Sequence, residues 1–189
     1  MRKKKEMPGL FMPKLILSLY DYSGNWCKEY KDHPDEYEVV QVDKLLNGID
    51  VRLMKYIDGR KVHGILSATP CTYFSQARKK PNNDELLIAL STVDATMRMI
   101  TIYQPVWWCI ENPAKSRINH YIGKPRQIVQ WNWFGDNIKK PTGLWGNFNR
   151  VKVNSSIANT EIIPFENKTK SKNAITPIEF GKAFYEANR

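Results

Sequence analysis

Short apolar runs separated by polar segments bearing glycine and proline set the rhythm of this chain. The first covers residues 14–20 around Leu15-Ile16-Leu17 and leads into the polar turn Asp21-Tyr22-Ser23-Gly24. A second, alternating run at 38–43 ends on Asp43. Residues 62–67 and 106–110 are short apolar runs that read as buried strands, and 127–133 predicts one more. Between the third and fourth runs, Leu86, Leu87, Leu90, Val93, Met97 and Ile100 recur at helical spacing up to about Tyr103, after an Asn or Asp cap with acids in the first turn. A further helix is predicted at 114–121. At the C-terminal end, Thr176-Pro177-Ile178-Glu179 reads as a capping box with proline at the first helical position, and Phe180, Ala183, Phe184 and Ala187 share one face. The expectation is an α/β protein with a mostly parallel sheet.

Composition narrows this. With 189 residues, 42% of them hydrophobic, the chain suits one α/β domain over residues 14–189 after a basic tail at 1–13. Arg2-Lys3-Lys4-Lys5 has the charge of a secretion leader, but residues 7–13 hold two prolines and no sustained apolar core, so no signal peptide is predicted. No stretch is expected to approach the ~20 apolar residues of a membrane span. Cys27, Cys71 and Cys109 are too few and too scattered for a disulfide framework or a zinc site. That fits a reducing compartment, so the expected setting is cytoplasmic and metal-free. Twenty-nine Lys and Arg against nineteen Asp and Glu leave a net charge of +10, which favours a polyanionic partner over a merely solvated basic surface. The charges cluster at Arg2–Lys5, Arg78–Lys80, Lys139-Lys140 and Lys168–Lys172.

Two loops carry candidate chemistry. The 62–67 strand is followed by Ala68-Thr69-Pro70-Cys71, which places a thiol beyond a strand's carboxyl end, where open α/β sheets bind their ligands. A cysteine there is either a nucleophile or a packed thiol. The 106–110 strand ends in Glu111-Asn112-Pro113, which puts a carboxylate on the same rim. Alone, Glu111 reads as a solvated loop charge or a helix N-terminal acid.

Together, Pro70-Cys71-Thr72-Tyr73-Phe74-Ser75 and Glu111-Asn112 resemble the Pro-Cys-x-x-Phe-Ser and Glu-Asn motifs of the DNA cytosine-5 methyltransferase family. The resemblance covers roughly residues 15–187 and implies a Rossmann-like class I methyltransferase fold in a single domain. It implies Cys71 as the nucleophile, with Glu111 and Asn112 beside it, and S-adenosylmethionine as cofactor. The cofactor residues it implies are Tyr22, Ser23 and Gly24 in the first turn, Asp43 for the ribose, Asp50 for the adenine amino group, and Pro70 and Leu86. Trp26 stands where the family has a second glycine, and Gln41-Val42-Asp43 where it has Glu-x-Asp. After the aromatic–glycine turn Phe134-Gly135, the family's Gln-x-Arg-x-Arg becomes Ile138, Lys140 and Thr142. The segment from Lys140 to Asn147 looks like the variant in small phage-encoded members, which act in the host cell cytoplasm.

By that resemblance Ser75, Arg78, Lys140 and Thr142 would meet the substrate, DNA or a cytosine nucleotide. Larger members carry a target-recognition domain near 149–174. This lysine-rich stretch is too short to fold one, so a separate recognition partner is one expectation. Two alternatives stand beside DNA methylation. One is the same chemistry on a free deoxycytidine nucleotide, and the other is a non-catalytic nucleic-acid-binding module derived from a methyltransferase. A cysteine hydrolase lacks a His or Asn at a matching strand end.

Overall fold

The computed structural model describes residues 12–55, 59–76, 80–158, 161–162 and 175–189. The first basic cluster, Arg78, and residues 159–160 and 163–174 of the lysine-rich segment lie outside the described residues.

The strands are β1 (Lys14–Leu19), β2 (Tyr37–Val42), β3 (Val62–Ser67), β4 (Trp107–Pro113), β5 (Gln127–Gln130) and β6 (Pro141–Asn147), with helices α1 (Lys28–Lys31), α2 (Lys44–Asn47), α3 (Asn83–Tyr103), α4 (Asn119–Ile122) and α5 (Ile178–Asn188). They form one six-stranded sheet in the order β2-β1-β3-β4-β6-β5. β1 to β4 run parallel, and β6 lies antiparallel between β4 and β5. The expected α/β class with a mostly parallel sheet is therefore present.

Alternation along the strands divides the core between the two sheet faces. Ile16, Leu66 and Cys109 face one layer, where Trp26 and Tyr30 meet Phe180, Phe184 and Tyr185 of α5. Leu15, Leu17, Leu19 and Ile65 face the other, against Ala95, Met99 and Tyr103 of α3. α3 begins as its sequence predicts. The Asn82 side chain accepts from Glu85 N at 2.8 Å, and the Glu85 carboxylate accepts from Asn82 N at 2.9 Å, a complete capping box. At 21 residues it is also long and apolar enough to cross a membrane by length and composition. This corrects the expectation that no stretch approaches that size, although one face of the helix packs on the sheet.

Several boundaries depart from the pattern, each because of a specific tertiary contact. The fourth strand does not stop at Ile110. It continues through Glu111, Asn112 and Pro113 because β6 pairs with it from Trp108↔Asn147 to Pro113↔Thr142. β6 itself was not expected, since Pro141, Gly143 and Gly146 are poor strand formers. The glycines are needed for space. A Cβ at Gly143 would lie 2.6 Å from the Trp145 ring, and one at Gly146 would lie 2.1 Å from the Trp108 carbonyl oxygen. The run at 127–133 stops at Gln130, whose partner Pro141 is the first residue of β6; a 3-10 turn at Trp131–Phe134 follows and buries Trp131 and Phe134. The 114–121 helix shrinks to α4 because residues 114–118 bond to neighbouring loops. Ala114 N donates to Pro141 O and Arg117 N to Phe74 O, both at 2.9 Å.

The C-terminal capping box does not form. Pro177 occupies the N-cap position without a side-chain hydrogen bond, and the buried Thr176 instead offers its carbonyl to Asn25 Nδ2 at 2.9 Å. α5 thereby docks on the loop after β1, and its contact with that loop is close. An added Cβ at Gly181 would lie 2.4 Å from the Asn25 carbonyl oxygen. Replacing an ordinary helical glycine with alanine gains up to about 1 kcal/mol. Gly181→Ala should instead cost about 1–3 kcal/mol by overpacking, read as a lower urea midpoint. A stabilised variant would refute this docking.

Candidate active site

Parallel strands β1 to β4 open their carboxyl ends on one rim. The order β2-β1-β3 means that the chain builds outward from β1 in one direction, then crosses to the other side. Such a reversal leaves a crevice between the loops that follow β1 and β3, the usual place for a ligand in open α/β sheets. Asp21 to Gly24 follow β1, Asp43 follows β2, and Cys71 follows β3.

The cysteine loop is tightly held. Cys71 O accepts from Phe74 N at 3.1 Å and Ser75 N at 2.9 Å, which closes a turn around the half-buried cysteine. Ser75 forms an isolated bridge with Ser116, and its carbonyl accepts from Arg117 Nη1 at 2.9 Å. Phe74 is buried with Ala89, Val93, Ile110 and Trp145, and Leu86 packs against that cluster. On the strand side, Asn112 is fully buried. Its Nδ2 donates to Thr69 O at 2.8 Å, and its Oδ1 accepts from Ser116 Oγ at 2.8 Å. One end of the Asn112 amide thus joins the cysteine loop to β4, and the other holds Ser116, which bridges to Ser75. Below, Ser67 Oγ lies 3.0 Å from Thr69 Oγ1 and 2.9 Å from Thr96 Oγ1, a buried hydroxyl chain reaching α3. Pro70 is exposed on the rim, and no cysteine is in a disulfide.

Glu111 neighbours Asn112 on β4, so its side chain leaves the sheet on the opposite face. It is buried, and its Oε1 has no hydrogen-bond partner. Lys140 Nζ approaches Oε1 at 3.7 Å, close enough for an ion pair but beyond a hydrogen bond. Burial raises the Glu111 pKa above the usual carboxylate value; Lys140 opposes the rise, and the Asp21 carboxylate adds to it. Lys140 also stands over the Trp131 ring, 5.2 Å from its centroid. Thr142 is fully buried, with its hydroxyl donating to Lys140 O at 3.3 Å, so of this pair only Lys140 carries a charge to the crevice.

The loops on the β1 side are built around Asp21. Its carboxylate accepts from Ser18 Oγ at 2.9 Å, Gly24 N at 3.0 Å and Ser23 Oγ at 3.3 Å. Gly24 turns at φ +70°, a conformation open to glycine, and Gln41 Nε2 donates to the Asp21 carbonyl. Tyr22 is exposed beside this turn. The expected second glycine is Trp26, which lies in the core against Phe180 and Phe184 rather than at the crevice. Asp43 caps α2 through Oδ1, which accepts from Leu45 N at 2.7 Å. Asp50 is gripped by Arg52, with Nη2 to Oδ2 at 2.6 Å and Nε to Oδ1 at 3.0 Å. That hydrogen-bonded pairing lowers the Asp50 pKa to about 2. Asp50 therefore already spends its carboxylate on Arg52, unlike Asp43.

A scan of the chain against models of known protein families finds no match, and a search of curated proteins finds none. The site thus stands on its own geometry. The structure brings Cys71, Glu111, Asn112 and Lys140 onto two joined loops and strands, with the Gly24 turn and Asp43 on the neighbouring strands. Arg78 lies outside the described residues. Two contributors lie outside the residues expected at the site. Asp21, the first charged residue after an apolar strand, was visible in the sequence as a loop builder. Trp131 was not, because only the fold brings its ring under Lys140.

Glu111 also has a stability consequence. The folded state holds its proton more tightly than the unfolded chain, so stability falls as pH rises from the ordinary carboxylate range towards the raised value. Glu111→Gln removes that dependence. In urea unfolding from about pH 4 to about pH 7, the midpoint of the variant relative to the parent should rise with pH. A pH-independent difference would contradict the buried, proton-retaining carboxyl.

Proposed function

We propose that this protein transfers a methyl group from S-adenosylmethionine to C5 of cytosine in DNA, through a covalent bond between Cys71 and C6. The observation that carries this reading is the buried Glu111 oxygen that makes no hydrogen bond, on the strand that Asn112 joins to the cysteine loop. A buried carboxyl oxygen that makes no hydrogen bond, with only an ammonium at 3.7 Å, is costly to a fold and suits a ligand that meets it. The Rossmann-like class I methyltransferase fold is part of the proposal. Its support is the six-stranded, mostly parallel sheet with a switch beside β1.

The residues on the β1 and β2 rim suit the cofactor. Gly24 turns the loop at φ +70° with the Gln41 amide against it, and Asp43 Oδ2 is left to the ribose hydroxyls while Oδ1 caps α2. When bound, S-adenosylmethionine supplies an electrophilic methyl group on sulfonium.

The chain's own residues do the rest. Cytosine C5 is too weak a nucleophile unaided. The Cys71 thiolate adds to C6, which breaks the ring's conjugation and makes C5 an enamine carbon. Glu111, whose pKa burial raises, hydrogen-bonds N3 as charge accumulates there, with the Lys140 ammonium beside it. C5 then takes the methyl group and loses its proton to a base, and elimination restores the C5–C6 double bond and releases the Cys71 thiolate. Asn112 acts as a positioning residue through Thr69. In duplex DNA the cytosine must first leave the stack, at a cost of a few kcal/mol.

Oligonucleotides containing 5-fluorocytosine test the mechanism, because fluorine blocks the final proton loss. Mass spectrometry should find the methylated base on the Cys71 peptide. Cys71→Ser should abolish transfer while leaving cofactor affinity nearly unchanged, and Glu111→Gln should slow turnover by about 10²–10³-fold. An adduct on Cys27 or Cys109, or methylated product from Cys71→Ser, would overturn the assignment. Running the free fluorinated nucleotide in parallel separates a DNA substrate from a nucleotide substrate.

Binding to DNA should be mainly electrostatic, as expected of a chain with a +10 charge. Log affinity should fall linearly with log salt, with a slope near −0.9 per phosphate neutralised. A tight, sequence-selective and salt-independent complex would show that the recognition rests on something other than this basic surface.

A further inference from the structure

A cleft of about 440 Å³ lies between α3 and the β4–β6 pair, and none of Cys71, Glu111, Asn112 and Lys140 lines it. Met97 of α3, Trp108 of β4 and Trp145 of β6 line it, together with Tyr121, Lys124 and Arg126 from the connection to β5. Trp108 and Glu111 are both on β4 but an odd number of residues apart, so they project from opposite faces of the sheet. The sheet therefore separates this cleft from the buried carboxyl.

Its walls are set by packing. Trp145 is held in place by its indole Nε1, which donates to Gly123 O at 2.8 Å. Gly146 forms part of the lining, and a Cβ there would lie 2.9 Å from the Trp108 ring. Glycine thus allows the half-buried Trp108 ring to lie against β6. Lys124 and Arg126 are exposed at the mouth, and the Arg126 guanidinium stands 5.7 Å from the Phe148 ring centroid. Asp94 takes a hydrogen bond from the Tyr121 hydroxyl, which puts one carboxylate beside a lining residue. Aromatic rings inside and an excess of positive charge at the mouth match a ligand with a flat π-face and an anionic group.

We propose that this cleft binds a nucleotide, with the base against Trp108 and Tyr121 and the phosphate on Lys124 and Arg126. The occupant is either a free nucleotide or one nucleotide of a single strand, since both present the same chemistry. The inference rests on the lining of the cleft and holds whether or not Cys71 transfers methyl groups.

Thymine ligands test it, because thymine already carries a C5 methyl group and is no substrate for the crevice chemistry. The full chain, with ¹⁵N-labelled indoles, is titrated with thymidine 5′-monophosphate and separately with a short oligothymidylate. Saturable shifts of the Trp108 and Trp145 indole signals are expected. Lys124→Gln combined with Arg126→Gln, both exposed, should weaken binding by at least about tenfold. Saturation by the monophosphate assigns a free nucleotide, and saturation by the oligothymidylate alone assigns a strand. The proposal is overturned if neither ligand moves those indoles, or if the double variant binds as tightly as the parent.

Discussion

The 2.8 Å hydrogen bond from Asn112 Nδ2 to the Thr69 carbonyl joins the two segments on which the candidate site depends. It exists because β4 runs past Ile110, and β4 runs on because β6 pairs with it as far as Thr142. Strand pairing brings Asn112 level with the residues leaving β3, and burial makes an unbonded amide expensive there. Both ends of that amide are used, one on Thr69 and one on Ser116, and the Ser75–Ser116 bridge completes the closure. The cysteine loop is consequently fixed to the strand that carries Glu111 before any ligand arrives. Preorganisation of this kind is what a covalent mechanism needs, since small misplacements of reacting groups are costly.

Glu111 shows the opposite economy. A carboxyl buried with an unbonded oxygen, an ammonium at 3.7 Å and a second carboxylate nearby does little for folding. Breaking such a pair from one side leaves an uncompensated charge, so its presence is not evidence of stability. Under the proposed function it is a group held ready for an external partner. Lys140 is placed to balance it, with its ammonium over Trp131. The cleft on the other face has a different character, with indoles inside and cations at the mouth. One sheet therefore presents two chemically distinct surfaces.

Much of the architecture was legible in the sequence because it follows from local physics. Continuous apolar runs gave the strands at Lys14–Leu19 and Val62–Ser67, and Asn82 with Glu85 gave the start of Asn83–Tyr103. The order of strand, polar turn and strand placed Cys71 and Asp43 at carboxyl ends before any contact was known. These features depend on side-chain periodicity, proline and capping, all of which act over a few residues. Tertiary structure decided the rest. β6 carries a proline and two glycines against local strand propensity; it forms by pairing with β4 and β5, and its glycines leave room for the indoles of Trp108 and Trp145. The Thr176 capping box was locally plausible, but Thr176 was drawn into contact with Asn25 from the far end of the chain. Trp26 in the core, Asp50 on Arg52 and Lys140 over Trp131 are likewise long-range or competing contacts. The sequence by itself determined which residues could make strands, turns and a cysteine-bearing loop. Only the packed sheet decided which of them face one another, because that depends on strand order and burial rather than on spacing along the chain.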